Sequence, residues 1–262
     1  MSILIEATKG VARVTLNRPD RRNAFDAAMV EEIRRAFDRL GRDRSVRVIV
    51  LSGVGATFCA GADLSWMGPD RTLSALEGRQ DAERLLTMFR TIDECPCPVI
   101  GRIQGAAYGG GVGLIAVCDI AAAAAEATFA FSEVRLGLVP AVIAPFVLRK
   151  TGESFARRFC LTGETFSAAA AMQTGLIHEV IELAGLDAQI TALAEHMARV
   201  APQAARDTKA LLRQLTYVSG DDGWKVCVDA NLRARLSAEA QEGLRAFRER
   251  RTPIWSDPSG ED

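Results

Sequence analysis

The chain has 262 residues, of which 48% are hydrophobic and 25% are charged, and its formal net charge is −1. This composition is typical of a globular protein and excludes a disordered, collagen-like or disulfide-rich chain. A charge so close to zero gives no overall field that would draw the protein to nucleic acid or to an anionic membrane, so neither is expected as a partner.

The first half of the chain alternates predicted strands and helices. Residues 3–7 and 11–16 alternate apolar and polar positions across a Lys9-Gly10 turn, which predicts a β-hairpin. A helix is expected after Asp26, which can cap its first turn, because apolar residues recur at helical spacing as far as Leu40. Further strands are predicted at 46–51, 99–103, 120–125 and 128–131, helices at about 73–92 and 112–117, and a loop at 53–68.

From about Pro140 onward almost everything is predicted to be helical.

The apolar stretch 112–131 is interrupted by Asp119 and Glu126, so no membrane span is expected. Without a Ser/Gly linker between the halves, we predict one continuous α/β chain, with a core at 1–200 and a helical oligomerisation region at 201–262. The predicted helices are 142–150, 155–161, 168–173, 186–200, 204–215 and 224–250.

Residues that bind metals or act as activated nucleophiles are sparse. The chain has only His178 and His196, and the Cys95-Pro96-Cys97 pair has no second pair to complete a tetrahedral site, so no metal is expected. Hydrolase chemistry is disfavoured because no nucleophile-elbow sequence occurs. The six cysteines have no repeating spacing and no secretory segment precedes them, so a reducing, cytoplasmic setting is the expectation.

Two glycine-rich loops each follow a predicted strand. Gly109-Gly110-Gly111 precedes a predicted helix, whose free N–H groups and positive dipole end stabilise negative charge. In the second loop, at 58–64, the N–H of Ala62 is a candidate for another donor. Either loop alone is more often a tight turn, but together they offer a hole for an enolate oxygen. The residues from Gly111 to Ala116 also match a dinucleotide-binding pattern, but weakly, because several residues separate the preceding strand from it.

Three segments occur in an order and spacing that resembles the crotonase superfamily, the enoyl-CoA hydratases and isomerases. They are FCAGADLSWM at 58–67, IQGAAYGGGVGLIAVCDI at 103–120 and FSEVRLGLVP at 131–140, and residues 14–25 and 242–254 are similar to that family's two ends. The resemblance covers nearly the whole chain. It implies a crotonase-like spiral of strand-strand-helix units with a C-terminal helical extension, and assembly as a homotrimer or a dimer of trimers. The implied substrate is an acyl-CoA thioester, with no cofactor beyond the coenzyme A that the substrate carries.

The resemblance also implies roles for individual residues. The backbone N–H groups of Ala62 and Gly110 correspond to the family's two oxyanion donors, and Glu133 corresponds to one of its two catalytic glutamates. The position of the other glutamate is Gly113, which disfavours a mechanism that needs two carboxylates. Apolar neighbours are expected to raise the pKa of Glu133. The residues expected to bind substrate are Ala60, Asp63, Leu64, Trp66 and Gly113.

A single glutamate leaves two reactions open. It can add water across the Cα=Cβ bond of an enoyl thioester, or it can move a proton between Cα and Cγ and so isomerise the double bond. The run at 132–145, with Gly113, looks like the single-glutamate hydratases of branched glutaconyl-CoA esters in leucine or isoprenoid breakdown, so hydration is the first hypothesis. Arg135 is the nearest candidate in sequence for the distal carboxylate of such a substrate. A non-catalytic acyl-CoA- or RNA-binding module is the alternative of another class, and the lack of a basic stripe counts against RNA.

Overall fold

Two β-sheets form the centre of the structure, a computed structural model that describes residues 1–67 and 74–256. The strands are β1 (Ile3–Thr8), β2 (Val11–Leu16), β3 (Val48–Gly53), β4 (Thr57–Cys59), β5 (Val99–Ile103), β6 (Ala106–Tyr108), β7 (Ile120–Ala124), β8 (Thr128–Ala130), β9 (Phe166–Ser167) and β10 (Glu179–Ile181). The larger sheet has the order β1-β2-β3-β5-β7-β10 and the smaller has the order β4-β6-β8-β9. Only the β1–β2 and β8–β9 pairs among these are antiparallel.

Helices follow the strands and dominate the second half of the chain. They are α1 (Ala27–Arg42), α2 (Leu64–Met67), α3 (Ala75–Asp93), α4 (Gly110–Ala116), α5 (Ala144–Thr162), α6 (Ala168–Gln173), α7 (Leu183–Ala198), α8 (Pro202–Leu215), α9 (Gly220–Leu236) and α10 (Ala238–Glu249). Within the part of the chain that the structure covers, no helix is long and apolar enough to cross a bilayer.

The strand order produces a repeating unit of two strands and a helix. β3 enters the larger sheet, β4 enters the smaller one, and the chain continues into α2 and α3. The same sequence recurs as β5, β6 and α4, and again as β7, β8 and α5. The α/β spiral of strand-strand-helix units predicted from the sequence is therefore confirmed, together with the helices at the C-terminal end.

Local sequence explains the best-predicted elements. The carboxylate of Asp26 accepts a hydrogen bond from the N–H of Met29 at 2.9 Å and so caps α1, whose apolar face is buried. Residues 48–51 of β3 have no exposed surface, as a central strand covered on both faces requires. Both elements agree with the prediction to within a few residues.

Several boundaries differ from the prediction for physical reasons. The two helices expected at 142–150 and 155–161 lie on either side of Gly152, whose backbone is not helical, with φ at 73°, and together they make up α5. The long helix expected at 224–250 is interrupted at Ser237, whose extended backbone ends α9 and whose side chain caps α10. The strands β4, β6, β9 and β10, which were not predicted, have two or three residues each, and such short strands carry little periodicity. The predicted start of a helix at Leu73 and the end of the loop at Gly68 lie outside the described residues, as do residues 257–262 of the predicted C-terminal region.

Candidate active site

A cavity of about 330 Å3 lies at one edge of the smaller sheet. Its wall includes the residues that directly follow β4, β6 and β8, three parallel neighbours whose carboxyl ends meet at the same edge. The innermost side chains, Phe25, Phe89 and Ile143, are almost fully buried, whereas Leu64 and Val139 at the rim are 58% and 75% exposed. The cavity therefore has a buried apolar inner wall and an exposed entrance.

The loop that follows β4 is held against the segment around Phe25. The N–H of Phe25 donates to the carbonyl of Gly61, and the N–H of Asp63 donates to the carbonyl of Phe25, each at 2.9 Å. These two bonds form a parallel bridge between Phe25 and Ala62, in which the N–H of Ala62 points away from its partner strand. Among the described residues this N–H has no acceptor, and Ala62 lines the cavity.

The glycine loop that follows β6 lies directly beside the Ala62 loop. A Cβ added to Gly61 would lie 3.2 Å from the nitrogen of Gly110 and 2.7 Å from the carbonyl oxygen of Tyr108, so only glycine allows this close approach. Gly61 also has a φ of +89°, which side-chain-bearing residues rarely adopt. Gly110 is the first residue of α4, and its N–H likewise has no acceptor within the described ranges. The structure thus brings the two predicted donors to adjoining loops on one cavity.

Asp63 and Trp66, both expected to bind substrate, lie next to the Ala62 loop and contact protein groups. The carboxylate of Asp63 accepts hydrogen bonds from Ser65, through its N–H at 3.0 Å and its hydroxyl at 2.7 Å, and forms an ion pair with Arg18 at 3.0 Å. The bonds from Ser65, and then Arg18, hold the pKa of Asp63 below its ordinary value. Trp66 packs against the hydrophobic core. Neither residue is among those that line the cavity in the described part of the chain.

Buried Asn23 fixes the strand that precedes the loop, a contribution that the sequence analysis missed. Its side-chain nitrogen donates to the carbonyls of Thr57 at 2.8 Å and Phe58 at 3.1 Å, and its side-chain oxygen accepts from the N–H of Arg18. A buried polar group with this many partners specifies one backbone arrangement. An asparagine between basic and apolar residues has no local pattern that reveals such a role.

Glu133 projects into the cavity from a short 3-10 helix, Ser132–Leu136, directly after β8. Its Oε1 lies 3.1 Å from the position that a Cβ on Gly109 would take, so the carboxyl group faces the start of α4. Its Oε2 is buried and has no hydrogen-bond partner among the described residues. Burial raises the pKa of Glu133 above its ordinary value, in the direction expected from the sequence. Among the described lining residues it is the single carboxylate.

Gly113, one of the residues expected to bind substrate, is enclosed by packed side chains in the structure. A Cβ added to Gly113 would lie 2.3 Å from Cγ2 of Ile143 and 3.0 Å from Cε1 of Phe89, so packed side chains fill the space beside it. Gly113 is buried and does not line the cavity. Ala60 and Leu64, by contrast, line it.

Arg135 does not line the cavity either. It is exposed, and its Cγ lies 3.0 Å from the Cβ position of Gly163, which places it over the end of α5. In the described chain no three His, Cys, Asp or Glu residues group as metal ligands. What the cavity offers chemically is one partly dehydrated carboxylate, two N–H donors for a developing negative charge, and an apolar wall.

Comparisons with known proteins agree with this geometry. The family model described as enoyl-CoA hydratase/isomerase matches residues 6–258. The enoyl-CoA hydratase AFT6-1 of Alternaria alternata is 34% identical over 94% of this chain and 80% of its own length. The structure of an enoyl-CoA hydratase from Shewanella pealeana superposes with a TM-score of 0.93 at 37% identity, over 97% of this chain and 96% of that one. Pseudomonas aeruginosa AtuE superposes with a TM-score of 0.94 at 36% identity, over 98% and 100%.

Proposed function

Because the chain belongs to the enoyl-CoA hydratase/isomerase family, we propose that it is a hydratase of acyl-CoA thioesters in which Glu133 is the only catalytic carboxylate. The observation that carries this proposal is the position of Glu133. Its carboxyl group faces Gly109, at the start of the helix whose first N–H is one candidate donor, and its Oε2 is buried without a partner. A buried group left without a partner in the free protein is a group that substrate can engage.

In the proposed reaction the thioester carbonyl accepts hydrogen bonds from the N–H groups of Ala62 and Gly110. Water attacks Cβ while Glu133 takes its proton, and the electrons of the double bond move to the carbonyl oxygen as an enolate. Each such donor is worth roughly 2.7–4 kcal/mol in enzymes with oxyanion holes, so two donors supply a large part of the barrier reduction. Glu133 then returns the proton to Cα on the same face, and the carboxylate is regenerated.

For the acyl group we propose a branched glutaconyl ester. Residues 132–145 resemble the single-glutamate hydratases of branched glutaconyl-CoA esters, which supports this acyl group. The apolar inner wall and the exposed rim of the cavity suit its apolar branch and its distal carboxylate. An apolar branch is stabilised against Phe25, Phe89 and Ile143, which are at most 3% exposed. The distal carboxylate must stay where water reaches it, since a charge left unpaired at the inner wall is costly, and the exposed rim near Leu64 and Val139 meets that need.

A panel of enoyl-CoA and branched glutaconyl-CoA esters, analysed by mass spectrometry, tests this proposal. The expected product is heavier than its substrate by one water, with the highest kcat/KM for a branched glutaconyl ester. The same esters are tested with Glu133→Gln, and turnover that this variant loses is assigned to the Glu133 site. If no ester gains or loses water above the rate of that variant, the hydratase proposal is wrong.

Isomerisation of the double bond is the second candidate, and the packing at Gly113 favours it. The position where two-glutamate relatives hold a second acid is closed here by Ile143 and Phe89, and among the described lining residues Glu133 is the single carboxylate that could assist the water. A proton moved between Cα and Cγ needs only one carboxylate and no water. In the same panel, a shifted double bond without a change in mass identifies this reaction.

We further propose that the protein assembles as a homotrimer or a dimer of trimers. The proposal is supported by a row of exposed apolar side chains on α9, where Trp224, Val228 and Leu232 follow one another at four-residue spacing with 55–70% exposure. Phe247 on α10 is 84% exposed. Apolar faces of this kind usually mark interfaces.

A further inference from the structure

Ile143 occupies a position that two parts of the site share. It lines the cavity, and its Cγ2 fills the space beside Gly113, at 2.3 Å from the position a Cβ there would take. The side chain is 3% exposed. Ile143 therefore closes the inner end of the cavity and blocks any side chain at residue 113.

The backbone of Ile143 is held independently of its side chain. Its N–H donates to the carbonyl of Pro140 at 3.2 Å, and its own carbonyl accepts from the N–H groups of Phe146 and Val147, each at 3.1 Å. A smaller residue keeps all three bonds, since none involves the side chain. Truncation is therefore expected to alter the wall and leave the start of α5 in place.

The neighbouring walls are fixed by aromatic packing. The ring of Phe89 lies 6.4 Å from that of Phe25, edge to face, and 6.2 Å from that of Phe146. Close-packed surroundings relax only partly when a side chain is shortened, so space opened at residue 143 persists. Phe89 and Ile143 both line the cavity and approach Gly113, and Ile143 comes closer, at 2.3 Å from the Cβ position against 3.0 Å for Phe89.

We propose that Ile143 determines the size of the acyl branch that the site accepts, with Gly113 as its complementary position. This inference rests on the proposed function, because it needs the acyl group inside the cavity. In the proposed reaction the thioester carbonyl lies beside the N–H groups of Ala62 and Gly110, which line the cavity, so the acyl group lies within it. An apolar branch then reaches the inner wall, where the side chain of Ile143 sets the depth.

Binding of saturated acyl-CoA thioesters tests the proposal without turnover. Isothermal titration would compare an ester with a long apolar branch and one with a methyl branch on wild type, Ile143→Ala and the double variant Gly113→Ala/Ile143→Ala. In Ile143→Ala the affinity ratio should shift at least ~10-fold toward the longer branch, since one or more methylenes in an apolar pocket discriminate by about that factor. In the double variant the added methyl refills the space, with contacts to Phe89 and residue 143 near 3.0 and 3.1 Å, and the ratio should return toward that of wild type.

Val147→Ala serves as the matched control, because Val147 is buried in the first turn of α5, which Ile143 precedes, but does not line the cavity. Its affinity ratio should equal that of wild type. Melting temperatures give a second readout. Gly113→Ala should lower the melting temperature strongly in wild type, where its methyl meets Ile143, and much less in the Ile143→Ala background.

The possible failures are distinguishable. The role of Ile143 would be overturned if a folded Ile143→Ala variant had an affinity ratio within twofold of that of wild type. It would also be overturned if the melting-temperature losses of Gly113→Ala and Ile143→Ala added up in the double variant. Neither result would affect the proposed hydration. A shifted ratio in a protein that turns over no enoyl ester would overturn the proposed reaction and leave the size selection by Ile143 in place.

Discussion

Replacement of Glu133 by glutamine separates the chemistry of the carboxylate from its shape. The variant keeps the side chain against Gly109 and removes proton transfer. General acid–base groups contribute about 10²–10⁴-fold, so kcat/KM should fall by that factor, which corresponds to about 2.7–5.4 kcal/mol of lost transition-state stabilisation. Binding of a saturated acyl-CoA should persist, because the cavity wall and the N–H donors are unchanged.

The same variant is expected to lose activity but to gain stability relative to wild type as pH rises. Burial raises the pKa of Glu133 above its ordinary value of 4.5, so the folded state favours the protonated carboxyl, and this contribution is lost as pH rises through the raised value. Glutamine stays neutral, so the melting temperature of Glu133→Gln relative to wild type should rise between pH 4 and pH 8. Calorimetry across that range, with turnover measured on the same samples, checks both effects. Unchanged turnover, or a variant that loses stability relative to wild type as pH rises, would refute the assignment of Glu133.

Three further predictions test other parts of the account. Ala62→Pro removes one N–H donor and should lower kcat by ~10²–10³-fold in a protein that circular dichroism shows to be folded. Ala62→Gly keeps the donor and should lower kcat only slightly. Equal kcat values for the two variants would contradict the oxyanion role. On the acid side, kcat/KM should rise with pH through a midpoint above 4.5, because Glu133 must be ionised to take a proton and burial raises its pKa. A midpoint at or below 4.5 would contradict the role of Glu133 as the base. Light scattering at micromolar concentration should give the mass of a trimer or hexamer, and Trp224→Asp with Val228→Asp on the exposed face of α9 should reduce it; a monomeric wild type contradicts the assembly.

The sequence predicted the scaffold of the site well because that information is local. Asp26 begins α1, the β-branched run before Gly53 forms a central strand, and the three glycines at 109–111 open α4. Periodicity and capping depend on residues within a few positions of one another, so one sequence is enough to recognise them. The positions of Ala62, Gly110 and Glu133 came from motif resemblance.

Long-range packing accounts for what the sequence did not predict. That Ile143 would fill the space beside Gly113 depends on how α5 lies against α4, and nothing in either segment encodes that distance. The placement of Phe25 in the inner wall depends on a bridge to Ala62, 37 positions further along the chain. Asp63 and Trp66 were expected to bind substrate, and their contacts with Arg18, Ser65 and the core depend on the folded loop, which the sequence alone does not give.

A crystal structure of the protein with a saturated, branched acyl-CoA thioester tests the central claim most directly. The account predicts that the thioester oxygen lies about 2.7–3.1 Å from the nitrogens of both Ala62 and Gly110, with the carboxyl group of Glu133 against Cα and Cβ of the acyl chain. A thioester bound in the cavity with its oxygen out of reach of both nitrogens, or with Glu133 turned away from the acyl carbons, would contradict the proposed mechanism.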